Sequence, residues 1–269
     1  MPQAVQSLPY VAWVLLVALA FGSFAFVALT RQLTDATPGY LRFTAFCAAV
    51  LALLALLVDW GLPVPSDLAI HAAGRPDIRQ LGLGLFALGA VLYVLEFRPA
   101  RAIGGAGFGA ALALGGAVFG WAPTGVDAVP LLVQLVVLSL ATGGSMAAVI
   151  LGHWYLVTPK ISEKPLVLQA RLLLGVIGLQ VLLFIVWTTL GGGPGQGAFD
   201  AFSGGNLLLV VLRLLVSLLF PLVLCWMAWR TALTRSMESA TGLLYINLAA
   251  VMAGTIGAAA LYVSTGLLL

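Results

Sequence analysis

The stretch Pro130–Val157 reads PLLVQLVVLSLATGGSMAAVILGHWYLV, 28 residues without one Asp, Glu, Lys or Arg. A membrane barrel strand would show about 10 residues of alternating polarity. This run is longer and does not alternate. A helix satisfies its own backbone hydrogen bonds, so it can stand in lipid where unpaired N–H and C=O groups are costly. About 20 mostly apolar residues are enough to cross the hydrocarbon core. The stretch therefore predicts a membrane-spanning helix.

Seven more runs of this kind flank it, at 9–30, 40–58, 80–97, 103–122, 166–190, 206–229 and 241–267. Hydrophobic residues make up 62% of the chain and charged ones 8%, against roughly a quarter charged in soluble domains. The sequence predicts an all-α integral membrane protein, with eight transmembrane helices in one domain over 1–269. The longest connections lie near 59–79 and 191–205 and leave no room for a soluble domain. The leader Met1–Tyr10 lacks the basic residues of a signal peptide, so the first span is expected to stay. No basic patch suggests nucleic acid. Cys47 and Cys225 lie inside spans and read as small buried residues rather than a disulfide or metal site.

The few charges give an orientation. Arg31, Arg42, Arg98, Arg101, Lys160, Lys164, Arg171, Arg230 and Arg235 fall on one side, and only Arg75 and Arg79 on the other. Positive loops stay in the cytoplasm, which predicts both termini outside, in the periplasm of a bacterium with a cytoplasmic (inner) membrane. Asp59, Asp67, Asp77, Asp127 and Asp200 fall on that outer side.

Two octapeptides resemble each other. GSFAFVAL at Gly22–Leu29 and GSMAAVIL at Gly144–Leu151 agree at five of eight positions. The chain then reads as two four-helix bundles in tandem, 1–125 and 126–269, related as a parallel repeat. A composition so rich in Ala, Val, Leu and Gly produces such matches by chance as well. Small residues spaced by four (Gly105 and Gly109, Gly116 and Gly120, then Ala250, Gly254 and Ala258) allow close helix packing, within the chain or against a partner.

The candidate functional residues are the polar groups that loop anchoring does not explain. His153, with Trp154 and Tyr155, ends the fifth span. It suits an interfacial anchor, a quinone- or proton-handling group, or a metal ligand, although the other histidine, His71, lies on the far side. Glu96, Gln169 and Arg171 sit at the same depth, as one polar pocket or as separate snorkelling anchors. Arg213 is the deepest charge, about 11 Å from the outer edge by helix rise, with Asp59 and Asp200 as partners for an ion pair. Gln134, Ser139, Thr142, Ser145 and Gln180 are expected to bond within their own helices. Ser145 and His153 are about 12 Å apart along one helix, which excludes a serine–histidine pair.

Eight spans, outer termini, a four-plus-four plan and Asp59-Trp-Gly-Leu-Pro63 are similar to the NrfD/DmsC/PsrC group of membrane anchor subunits. The resemblance implies a quinone-interacting or non-catalytic subunit of an electron-transfer complex, respiratory or photosynthetic, with quinone as cofactor and membrane or peripheral subunits as partners. Asp59 and Arg213 would then face the quinone. The first span departs from that family's pattern, with Phe21-Gly-Ser23 and no histidine. No haem or metal is predicted. The alternative is a small-solute transporter or channel, whose helices are commonly broken at midplane; the clear mid-span proline here is Pro221.

Overall fold

The computed structural model describes residues 3–66, 68–70, 75–122, 127–158, 161–191, 197–202 and 206–269. Asp67, His71 and Lys160 lie outside the described residues. The chain is all-helical there: α1 (Gln3–Leu33), α2 (Pro38–Trp60), α3 (Pro76–Val94), α4 (Pro99–Trp121), α5 (Ala128–Val157), α6 (Lys164–Leu190), α7 (Leu207–Leu214), α8 (Phe220–Leu233) and α9 (Met237–Thr265). Eight helices are long and apolar enough to span a membrane, the seventh being Leu207–Leu233. This is a multi-pass membrane protein. Its outward surface is apolar, with Phe119 82%, Leu190 73% and Leu182 61% exposed, as lipid contact requires.

Local chemistry sets the ends of the elements. Proline stands in the first turn of α2, α3, α4 and α6, where its missing N–H costs nothing. Gly266 ends α9 at φ 74°, a left-handed cap that glycine adopts without strain. Between α7 and α8, Leu215–Leu219 forms a π-turn directly before Phe220-Pro221. A proline ring collides with the carbonyl four residues earlier, here that of Ser217, and the wider turn accommodates it. The seventh span is thus continuous but locally rewound.

Successive helices pack as neighbours in each half, and α1, α5 and α9 join the halves. The two similar octapeptides meet where α1 crosses α5. A Cβ on Gly22 would come 1.7 Å from the Ser139 main-chain oxygen, and one on Gly144 would come 2.5 Å from the Phe26 ring. In α4 the close-packed glycines are Gly109 and Gly116, against α3, while Gly105 meets nothing within 4 Å. The expected pairing of Gly105 with Gly109 on one packed face is corrected: Ala102, Ala106, Gly109, Ala113 and Gly116 form it, because 3.6 residues per turn alternates steps of three and four.

One side of the bundle carries the start of α1 and the end of α9. Gln6 bonds Ser66, Ala69 bonds Val263 and Tyr262 bonds the Trp121 carbonyl at 2.8 Å. The start of α1, the loop after α2, the end of α4 and the end of α9 therefore share a level.

Candidate functional site

Two buried arginines on the terminus side organise the polar interior. The first is Arg79, 1% exposed in α3. Its Nε donates to Asp59 Oδ2, and its Nη2 to Asp59 Oδ1 at 3.2 Å. Gln80 Nε2 also donates to Asp59 Oδ1, at 3.0 Å. The guanidinium lies 5.8 Å from the Trp13 ring centre and 5.7 Å from that of Trp121. Tyr10, whose hydroxyl donates to the Pro63 carbonyl, stacks edge-on against Trp121. The segment Asp59–Pro63 is thus clasped at both ends, by Arg79 and by Tyr10. Asp59 is the partner of Arg79, not of Arg213, and Arg79 is no loop charge: α3 begins at Pro76, a turn before the hydropathy pattern does.

The second is Arg213, 3% exposed, six residues into α7. Among the described residues no Asp or Glu pairs with it. Asp200 accepts the Gly197 N–H instead. Arg213 Nε donates to the main-chain oxygen of Leu269 at 3.4 Å. The same oxygen accepts Gln134 Nε2 at 2.6 Å, and Trp187 Nε1 donates to Gln134 Oε1 at 3.4 Å. After Gly266, the segment Leu267–Leu269 is buried inside the bundle. It helps to line a small apolar cavity of about 20 Å³ with Val14, Trp121, Gln134, Leu138 and Tyr262. Gly254 is what lets Arg213 and Ser217 approach α9: a Cβ there would lie 2.7 Å from Arg213 Nη1 and 2.1 Å from Ser217 Cβ.

Polar pairs continue from this chamber toward the other side. Thr142 and Thr255 hydroxyls are 2.6 Å apart. Asn247 Nδ2 donates to Ser145 Oγ at 2.8 Å, and the Cys225 thiol donates to Asn247 Oδ1 at 3.3 Å. Farther on, Gln169 Nε2 donates to Thr30 Oγ1 and Tyr40 Oη at 2.8 and 2.6 Å. The expectation that these groups bond within their own helices holds for Ser139, which donates to Leu135. It is corrected for Gln134, Thr142 and Ser145, whose partners lie on other segments. Both polar atoms of buried Gln180 have no hydrogen-bond partner among the described residues. By helix rise Gln180 is level with Ser217, each about 15 Å from its span's terminus-side end.

On the opposite side the polar residues stand as separate groups rather than as one pocket, the second of the two arrangements open to them. Glu96 is exposed and pairs with Arg42. His153 and Arg171 are both exposed on the bundle surface. Tyr155 is buried and donates to the Ser162 carbonyl, which ties the end of α5 to the following turn. Gln169, at the same level, faces inward. Cys47 and Cys225 are both free thiols. Among the described residues no group of three His, Cys, Asp or Glu side chains could hold a metal ion. No protein-family model, curated protein or solved structure matches the chain.

Proposed function

We propose that this protein is a quinone-interacting, non-catalytic membrane subunit of an electron-transfer complex, placed in a bacterial cytoplasmic membrane with its termini outside. The observation that carries the reading is the Leu269 main-chain oxygen, held by Arg213 and Gln134 at the rim of an apolar cavity. Two donors converge on the one Leu269 main-chain oxygen, and leucine side chains fill the space behind it. A quinone head group with an apolar tail has the same chemistry. Arg213 and Gln134 would hold one ring oxygen, while Leu138, Tyr262 and Trp121 would flank the ring. Quinone supplies two-electron, two-proton chemistry when bound. This chain's part is to orient it and to exclude water.

The fit has a condition. A cavity of about 20 Å³ takes about one water, so entry requires Leu267–Leu269 to withdraw about Gly266. Burial of Arg79 supports the orientation, since Arg75 is then the exposed base on the terminus side among the described residues, and it is paired with Asp77 at 2.9 Å. Partner subunits would dock on the basic side. The test is quinone content of the purified protein and its complex. Bound quinone that is lost in Arg213→Leu supports the reading; none extracted, and none bound on titration, refutes it.

A second reading, passage of a small polar solute, is favoured by the polar pairs from Gln134 to Gln169 and by the π-turn beside Ser217. Solute flux into proteoliposomes that is abolished by Asn247→Leu would favour it over the first.

A further inference from the structure

The basic side holds a cleft of about 550 Å³ where α1 ends and α4 begins, lined by Arg31, Gln32, Arg98, Pro99, Arg101 and Ile103. Three of those residues are arginines. Among the described residues none of the three pairs with a carboxylate. The nearest acids along the chain are Asp35, four residues after Arg31, for which no ion pair with the three is found, and Glu96, which Arg42 already takes. Like charges gathered without a counter-ion repel one another, so an anion in the cleft is favoured.

Backbone geometry holds the arginines there. Glu96 and Arg98 have φ of 58° and 45°, left-handed values that non-glycine residues adopt at a cost, and such strain gathers at ligand sites. Arg98 is the N-cap residue of α4, so the positive end of that helix dipole adds to the field. Arg31 is anchored over the Tyr93 ring, 5.3 Å from its centre.

Beneath the cleft the surface is apolar and shallow. Along one flank of α4, Arg101 is followed by exposed Gly104, Gly105, Phe108 and Ala111. A Cβ on Gly104 or Gly105 would meet nothing within 4 Å, so this flank is open and low in relief. Phe108 on this flank is 62% exposed, and the exposed apolar side chains Leu33 (62%) at the end of α1 and Phe97 (57%) before α4 lie next in sequence to the cleft residues Gln32 and Arg98. Three arginines at headgroup level above an exposed apolar flank match a phosphate carrying acyl chains rather than a free ion.

We propose that Arg31, Arg98 and Arg101 form a binding site for the phosphate of an anionic phospholipid, with its acyl chains along α4. The site lies on the opposite side from Arg213 and does not depend on the quinone reading. The test is native mass spectrometry of the purified protein titrated with phosphatidylglycerol, phosphatidylcholine or inorganic phosphate. At about fivefold per basic residue near a headgroup, the triple variant Arg31→Gln/Arg98→Gln/Arg101→Gln should bind phosphatidylglycerol roughly 100-fold more weakly. Arg98→Gln alone should lose about fivefold, which keeps the test valid if the triple variant folds poorly. Arg230→Gln, on the same side, should bind as the parent does. Phosphatidylcholine should bind parent and variants alike, and inorganic phosphate should displace nothing. Unchanged phosphatidylglycerol affinity in the variants would overturn the proposal. So would equal binding of the two lipids by the parent, or displacement by inorganic phosphate, which would make the site one for the free ion.

Discussion

Arg79 and Arg213 are both buried in the terminus-side half of the bundle, and they are satisfied in opposite ways. Arg79 has a carboxylate, a glutamine beside that carboxylate and two indole faces. Arg213 has one long hydrogen bond to a main-chain oxygen that Gln134 shares. An unpaired arginine in lipid costs at least about 2–3 kcal/mol, whereas a paired one is costly mainly when its partner is removed. The first arrangement fixes the fold. The second gives its guanidinium no Asp or Glu partner among the described residues.

The largest effect should come from breaking the closed arrangement. Asp59→Leu leaves Arg79 buried and uncompensated, and should cost about 3–5 kcal/mol in detergent melting experiments. The double variant Asp59→Leu/Arg79→Met should recover most of that. Arg213→Leu should go the other way, holding or raising the melting temperature by the equivalent of up to about 2 kcal/mol.

The seam between the halves gives the next contrast. Gly22→Ala drives a Cβ into the Ser139 main chain and should cost about 1–3 kcal/mol. Gly105→Ala meets nothing and should be neutral or stabilising by up to about 1 kcal/mol from helix propensity. Equal melting temperatures for the two would show that the α1–α5 crossing is not tightly packed. Asn247→Leu, which removes the bond to Ser145, should cost about 0.6–1.7 kcal/mol, the range for hydrogen bonds between membrane helices. Smallest of all, Glu96→Gln breaks an exposed pair with Arg42 and should change stability by under about 1 kcal/mol.

Why the two arginines differ was only half legible in the sequence. Span length and hydropathy set the eight helices to within a few residues, because lipid demands apolar length whatever the tertiary packing. The same signal misplaced Arg79. Hydropathy starts late when a helix opens with Pro76-Asp-Ile-Arg79, and the charge is neutralised by Asp59 from another helix, 20 positions away. Arg213 was legible by its depth, but its acceptor was not. A main-chain oxygen has no letter in the sequence, and the turn at Gly266 that delivers Leu269 is a matter of backbone conformation. Glu96, His153 and Arg171 show the limit on the other side. Depth along a span follows from counting residues, but direction around the helix axis does not: His153 and Arg171 face outward, and Glu96, past the end of α3, pairs with Arg42. Gln134, Ser145 and Asn247 share a single reason: polar letters inside spans reveal hydrogen-bonding need without naming the partner.

The most direct test of the central contrast is titration of purified parent, Arg213→Leu and Gln134→Leu with a short-chain quinone, each alongside its melting curve. Binding by the parent, and loss of binding in both variants, with Arg213→Leu melting no lower than the parent and Gln134→Leu losing no more stability than Asn247→Leu, is the predicted result. Arg213→Leu that binds quinone as the parent does, or that loses stability as Asp59→Leu does, would contradict the assignment of Arg213 to a ligand.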